Sequence, residues 1–283
     1  MLTAPSGIIT LLSDFGIRDP FVAMVKGVIL ERFPAARMVD ITHSIPPQDL
    51  RVASFWLAKS YRWFPKGTVH FAVVDPGVGT ERERLALDAD GHWFVAPDNG
   101  LCTTVIGCAL QWEARRIELS KVGAVNPSRT FEGRDVFGPA AAELASGRLA
   151  FSEIGPLTEP VLFSEAATPR GPDSDSGLVS GRVVCADRFG NLITDIDATR
   201  LDLRRQHRVL VGGRQLGLFE TYSGVRSGEL LALVNSLGTI EIACRDGNAA
   251  KVLELEPGAP IQVSVSSPES RFEPGTEPSG RSS

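Results

Sequence analysis

Two acidic residues close apolar, strand-like runs. Asp14 follows residues 7–13 in SDFG, and Asp75 follows residues 69–74 in VVDPGVG. In open α/β sheets ligands bind beyond the carboxyl ends of the strands. An acid there can accept hydrogen bonds from a sugar diol or orient a water. Each could equally cap the turn or helix that follows, but two such acids in one sheet favour a site. A second polar cluster is NPSRTFEGRD at 126–135. Its Glu132, Arg134 and Asp135 could form part of a site or a solvated loop, with Asp135 the expected cap of the Ala-rich helix that follows. DRFGN at 187–191, Asn235-Ser236 and Arg245 to Asn248 each read, taken singly, as turns.

Other chemistries lose support. GVGTER at 77–82 lacks the third glycine of a dinucleotide fingerprint, and no acidic partner stands at the right distance. The chain has no GxxxxGK[ST] loop and no GxSxG elbow. Cys102, Cys108, Cys185 and Cys244 form no CxxC pair, and His43, His70, His92 and His207 show no metal-binding spacing. Buried thiols in a reducing cytoplasm are the expectation, with no metal site. A net charge of −5 and a pI near 5.5 argue against nucleic acid or an anionic membrane as partner. No apolar run approaches the roughly 20 residues that span a bilayer. The first residues lack the basic start and small-residue cleavage site of a secretory signal.

The elements that must position these groups fall into two kinds. Strand-like runs at 7–13, 37–42, 69–74, 84–89 and 92–96 alternate with helical patterns at 20–33 and 48–63. Asp19 is the expected cap of the first helix, with Pro20 at its first position. This alternation predicts an α/β domain with a largely parallel sheet over 1–163. Residues 164–177, SEAATPRGPDSDSG, read as a linker. Short strand-like runs from 178 to 266 predict a small all-β barrel domain. The polar, Pro/Gly/Ser-rich tail at 267–283 reads as disordered. At 283 residues, 43% hydrophobic and 22% charged, the chain can bury a substantial core.

Taken together, the motifs are more specific than their parts. SDFG, THSIPPQD at 42–49, VVDPGVGT at 73–80, APDNGL at 96–101, TFEGRD at 130–135, DRFGN at 187–191 and GELLAL…NS…EIA…GNAA at 228–250 occur in one order. This resembles the S-adenosylmethionine hydrolase family, the S-adenosylmethionine hydroxide adenosyltransferases, over about residues 7 to 265. Fluorinating and chlorinating enzymes that attack the same carbon are related to it. The resemblance implies an N-terminal α/β domain, a C-terminal barrel and a homotrimer with ligand sites between subunits. The implied reaction is attack of water on the ribose C5′ of S-adenosyl-L-methionine, giving adenosine and L-methionine. The sulfonium is already an activated leaving group, so no cofactor is implied.

By motif, the resemblance makes Asp14 the acceptor for the ribose hydroxyls. It makes Asp75 and Arg82 two members of a water-activating trio, with Arg84 in the same ERER stretch as a rival to Arg82. The third member is usually a histidine in TFHGRD, and here it is Glu132. Glu132 can position the water, but two carboxylates and one arginine carry surplus negative charge unless Arg134 joins or a proton is shared. Phe21, Gln48, Phe131 and Gly133 match ligand-facing positions. Asp187 matches an acid for the methionine amino group, and Phe189 and Asn191 match positions beside adenine and ribose. Tyr222 matches an aromatic ring on the adenine, with an ordinary barrel or interface tyrosine as the other reading. Asn235 and Ser236 match an NS motif at the methionine end, and Arg245 stands where many members have asparagine.

Two rivals are carried forward. Fluorinating relatives have tyrosine at the position of Asp75, threonine at Val78 and serine at Gly133. This chain therefore reads as the water-using branch. A non-catalytic adenosine-binding protein is the other rival, motivated by the missing histidine.

Overall fold

The apolar run that opens the chain forms β1, Ile8–Ser13, with five of its six residues buried. The structure, a computed structural model, describes residues 3–163 and 178–265. The chain divides into two compact units, Met1–Thr168 and Pro169–Ser283. The expected linker at 164–177 and tail at 267–283 lie outside the described residues.

In the first unit β1 is followed by α1 (Phe21–Arg32), β2 (Arg37–Thr42), α2 (Leu50–Ser60) and β3 (Val69–Val73). Next come β4 (Arg84–Ala89), β5 (His92–Pro97), α3 (Thr103–Cys108), β6 (Trp112–Arg116) and α4 (Gly138–Ser146). The six strands form one sheet in the order β2-β1-β3-β5-β4-β6. β1, β2, β3 and β5 run parallel, whereas β4 pairs antiparallel with both β5 and β6. The sheet is largely parallel, as expected, and is mixed only through β4, which runs against the other five strands. Asp90 and Gly91 join β4 to β5 with φ of 53° and 84°. Two successive left-handed residues make a tight hairpin turn, which enforces antiparallel pairing.

Every residue of β3, VHFAV, is buried, as befits a central strand covered on both faces. Ile9, Leu11, Phe71 and Val73 pack with Val25 and Ile29 of α1 and with Ala141 and Leu144 of α4. The helix starts differ from expectation. α1 has Pro20 at its N-cap and no side-chain cap, so Asp19 does not cap it. Pro20 has no N–H to satisfy, which suits a helix entrance. Asp49 does cap α2, accepting from the N–H of Arg51 at 3.1 Å and of Val52 at 3.0 Å. α4 is entered through a π-helical turn, Gly133–Phe137, rather than from an Asp135 cap. Asp135 lies inside that turn and accepts from the Ser128 N–H at 2.8 Å. The helical path is already running there, so no cap is needed.

The second unit comprises β7 (Val179–Ala186), β8 (Leu192–Asp197), β9 (His207–Val211), β10 (Arg214–Phe219), β11 (Leu230–Val234), β12 (Thr239–Cys244), α5 (Ala249–Leu253) and β13 (Pro260–Val265). Its strands close into a barrel in the order β10-β11-β12-β8-β7-β13-β9. Val183, Ile196, Val209, Ile240, Ile242 and Val263 fill the interior. Cys102, Cys185 and Cys244 are buried, but Cys108 is exposed at the last position of α3, against expectation. Among the described residues no helix is long and apolar enough to cross a membrane.

Candidate active site

β1 and β3 are parallel neighbours, with Ser13 in register with Val73. Their carboxyl ends therefore open on one edge of the sheet, and Asp14 and Asp75 leave it side by side. Both line a cleft of about 150 Å³ with Phe15, Gln48, Val78, Phe131, Glu132 and Gly133. Asp14 Oδ2 accepts the backbone N–H of Gln48 at 2.9 Å. Phe21, Phe15 and Phe131 make an aromatic wall, with Phe21 and Phe131 edge to face at 5.3 Å.

A turn carries the chain from Asp75 back toward the sheet. Thr80 N–H donates to the Gly77 carbonyl at 3.1 Å. Gly79 has φ of 80°, and a Cβ there would stand 2.6 Å from the Arg129 carbonyl oxygen, so only glycine fits. The turn returns Arg82 onto Asp75. Its Nε donates to Asp75 Oδ1 at 2.9 Å and Oδ2 at 3.0 Å, and its Nη2 also meets Oδ2. The same Nη2 donates to Glu132 Oε2 at 2.6 Å. Burial alone would lower the Arg82 guanidinium, but the hydrogen bonds and charges of Asp75 and Glu132 hold its pKa above the ordinary arginine value. Arg82 also lies over the Phe137 ring at 5.5 Å.

The fourth charge is Arg84. Its Nε donates to Glu132 Oε1 at 3.0 Å, and its Nη2 contacts the same oxygen. Arg134, which lies closer in sequence, instead pairs with Asp135 at 2.6 Å and lies over Phe131. The cluster is a row of alternating charges, Asp75, Arg82, Glu132 and Arg84. The surplus negative charge expected from sequence is cancelled by Arg84 and not by Arg134.

The remaining candidates sit on the barrel unit. Asp187 Oδ1 accepts from the N–H of Phe189 at 2.8 Å and of Asn191 at 2.9 Å, and its Oδ2 accepts from Asn191 Nδ2 at 3.1 Å. That tight loop leaves Phe189 76% exposed. Asn235 Oδ1 closes the turn before β12 by accepting from the Leu237 and Thr239 N–H groups, with Ser236 exposed at its tip. Arg245 donates to the Val225 carbonyl at 2.7 Å.

Tyr222 is half-exposed, and its hydroxyl donates to Glu241 at 2.7 Å. Glu241 escaped the sequence reading, although it is a lone acid in TIEIAC, an otherwise apolar strand. Burial raises the Glu241 carboxyl above its ordinary value, the Tyr222 hydrogen bond partly offsets this, and the Asp187 charge pushes it up further. Burial, then the Glu241 contact and the Asp187 charge, push the Tyr222 phenol up to about 12. Tyr222, Glu241 and Asp187 thus form one acidic group on the barrel.

The model of the SAM hydroxide adenosyltransferase N-terminal domain matches residues 9–155, and that of the C-terminal domain matches residues 181–262. The chain belongs to this family. It is 40% identical over 262 residues to the (R)-S-adenosyl-L-methionine hydrolase of Thermus thermophilus, covering 89% of this chain and 97% of that one. The enzyme of the same name from Salinispora tropica is 37% identical over 268 residues, covering 93% and 99%. A fluorinase from an Actinoplanes species is more distant, at 29% identity over 289 residues and coverage of 90% and 97%. Among solved structures, an uncharacterized conserved protein from Thermotoga maritima superposes with a TM-score of 0.82 at 34% identity, covering 90% of this chain and 99% of that one. Within this hydroxide adenosyltransferase chain, each unit carries its own set of the candidate residues, eight on the α/β unit and seven on the barrel.

Proposed function

We propose that this chain hydrolyses S-adenosyl-L-methionine to adenosine and L-methionine. The names borne by its relatives at 30–40% identity support the reading. The observation that carries it is the placing of Asp75, held by Arg82, on the same cleft as Asp14. In this reading Asp14 accepts the ribose hydroxyls and turns C5′ toward Asp75. A water lone pair forms the C5′–O bond while the C5′–S bond breaks and sulfur keeps the electron pair. The proton leaves the attacking water for Asp75 and then for solvent. Of the two carboxylates that share Arg82, Asp75 is held by one guanidinium and Glu132 by two, so Asp75 is the freer acceptor. Alignment of water, C5′ and sulfur contributes a further part of the acceleration.

Water is preferred over halide for a stated reason. The Asp75 carboxylate repels an approaching anion, and Val78 and Gly133 offer no hydroxyl to bind one. Incubation with S-adenosyl-L-methionine in high chloride tests this by chromatography. Adenosine and L-methionine are expected; 5′-chloro-5′-deoxyadenosine as sole product defeats the reading. Protection against heat without any turnover would instead favour a binding protein.

The finer reading is a cytoplasmic homotrimer in which the barrel residues of a neighbouring copy complete each cleft. The cleft of about 150 Å³ supports it, since sites for ligands of this size span roughly 300–1,000 Å³. On the barrel, Phe189, Asn191, Tyr222 and Arg245 would face the adenosine part, and Asp187, Asn235 and Ser236 the methionine part. Phe21, Gln48, Phe131 and Gly133 would hold the substrate on the α/β side. The cytoplasmic assignment rests on the free thiols.

A further inference from the structure

We infer that Arg84, the first residue of β4, is a positioning residue for the reaction, holding Glu132 as the anion that aims Arg82 at Asp75. The inference rests on the hydrolase reading above. Both Glu132 oxygens are occupied, Oε2 by Arg82 at 2.6 Å and Oε1 by Arg84, and its side chain is 6% exposed. A carboxylate so enclosed stays charged only if cations meet it. Arg82 is one such cation, but Asp75 already shares it. With Arg84 the four formal charges cancel; without it the cluster carries one surplus negative charge and binds a proton as pH falls.

Arg84 does not line the cleft, so it acts through Glu132 and not on substrate. Its mounting suits that task. Arg84 is paired with Pro97 on β5, and its carbonyl accepts from the Ile117 N–H at 2.7 Å. Arg82 leaves a loop three residues after Gly79 and has no strand to fix it. A guanidinium delivered from the sheet therefore fixes Glu132, and Glu132 fixes the guanidinium delivered from the loop. An error of about 1 Å in a reacting group can cost on the order of a hundredfold in rate. The Arg84–Glu132 pair thus works as one unit.

The test measures adenosine release from S-adenosyl-L-methionine between about pH 5 and about pH 9. It compares the full chain with Arg84→Gln, Arg84→Lys and the double variant Arg84→Gln/Glu132→Gln. Arg84→Gln should lower kcat roughly tenfold or more with KM within about twofold. The acid limb of its pH profile should move up by about one pH unit. Arg84→Lys should restore the acid limb and part of kcat, since it keeps the charge but loses the fork. The double variant should return the acid limb to its original place while kcat stays low, because both charges of the pair are gone. A purely structural role for Arg84 would not move the limb, nor would the second substitution return it. An active parent chain whose Arg84→Gln variant keeps its kcat and pH profile overturns this inference alone. So does a double variant whose limb stays with that of Arg84→Gln. A parent chain that releases no adenosine overturns the hydrolase reading and this inference with it.

Discussion

Asp14 holds the backbone N–H of Gln48 at 2.9 Å, tying the end of β1 to the turn that leads into α2. Gln48 sits there with φ of 65°, in the left-handed region. Its N–H points at the carboxylate that is proposed to meet the ribose. The anchor and the ligand acceptor are one side chain.

Asp14→Ala should therefore lower kcat/KM by roughly 10- to 100-fold, mostly through KM, as loss of a charged hydrogen bond implies. Steady-state kinetics would show this, and an unchanged KM would remove Asp14 from the substrate. Gln48→Gly keeps the N–H and relieves the left-handed strain. Its melting temperature should equal or exceed that of the parent chain.

Asp75→Asn should abolish most turnover, by a factor on the order of 10² to 10⁴, while substrate still binds. Calorimetric titration with S-adenosyl-L-methionine alongside the kinetic assay separates the two effects. Retention of kcat would move the proton acceptor elsewhere.

Tyr222 gives a spectroscopic prediction. The chain has two tyrosines, and burial raises the phenol of the other, Tyr61, as well. Tyrosinate absorbance should thus stay low at pH 10, with the Tyr222 step appearing at about 12 and vanishing in Tyr222→Phe. The sign for stability follows. Between pH 10 and about 12 the folded chain keeps a proton that the unfolded chain has released. Stability is fully present below that window and falls as pH rises through it. Tyr222→Phe should flatten that fall, read as melting temperature against pH.

Gly133 lies where the aromatic wall meets the cluster. A Cβ there would stand 3.1 Å from Phe15 Cζ and 3.6 Å from Phe131 Cε2. Gly133→Ala should displace Phe15, cost about 1–3 kcal/mol of stability and raise KM. A melting temperature and KM equal to the parent's would mean that the wall yields freely.

The strands were legible because their apolar runs are short and bounded by turn residues. Residues 37–42 and 84–89 are found as strands at the very positions the pattern marks. β6 was not legible: WEARR is a charged edge strand whose only buried residue is Ala114, so alternation had little to show. β10 was hidden by Gly217 within RQLGLF. In the site, Asp75 and Arg82 could be paired from motif order. The role of Arg84 could not, because Arg82 and Arg84 are alike in ERER and only the fold shows both reaching Glu132. Arg134 misled for a matching reason. Nearness in sequence placed it beside Glu132, while the π-helical turn sends it to Asp135.

Closure of the barrel bears on how copies of this chain can meet. Every strand from β7 to β13 has a hydrogen-bonded neighbour on both sides. Among the described residues no barrel strand is left with a whole edge free for a foreign strand to extend. In the α/β unit, β6 is covered on its outer flank, where the Arg116 N–H donates to the Pro156 carbonyl at 2.9 Å. Among the described strands β2 alone keeps an unpaired flank, and the Lys26–Asp40 ion pair sets charge beside it. Charge at an edge discourages templated growth into aggregates. Among the described strands, edge-to-edge pairing between copies is therefore confined to the charged flank of β2.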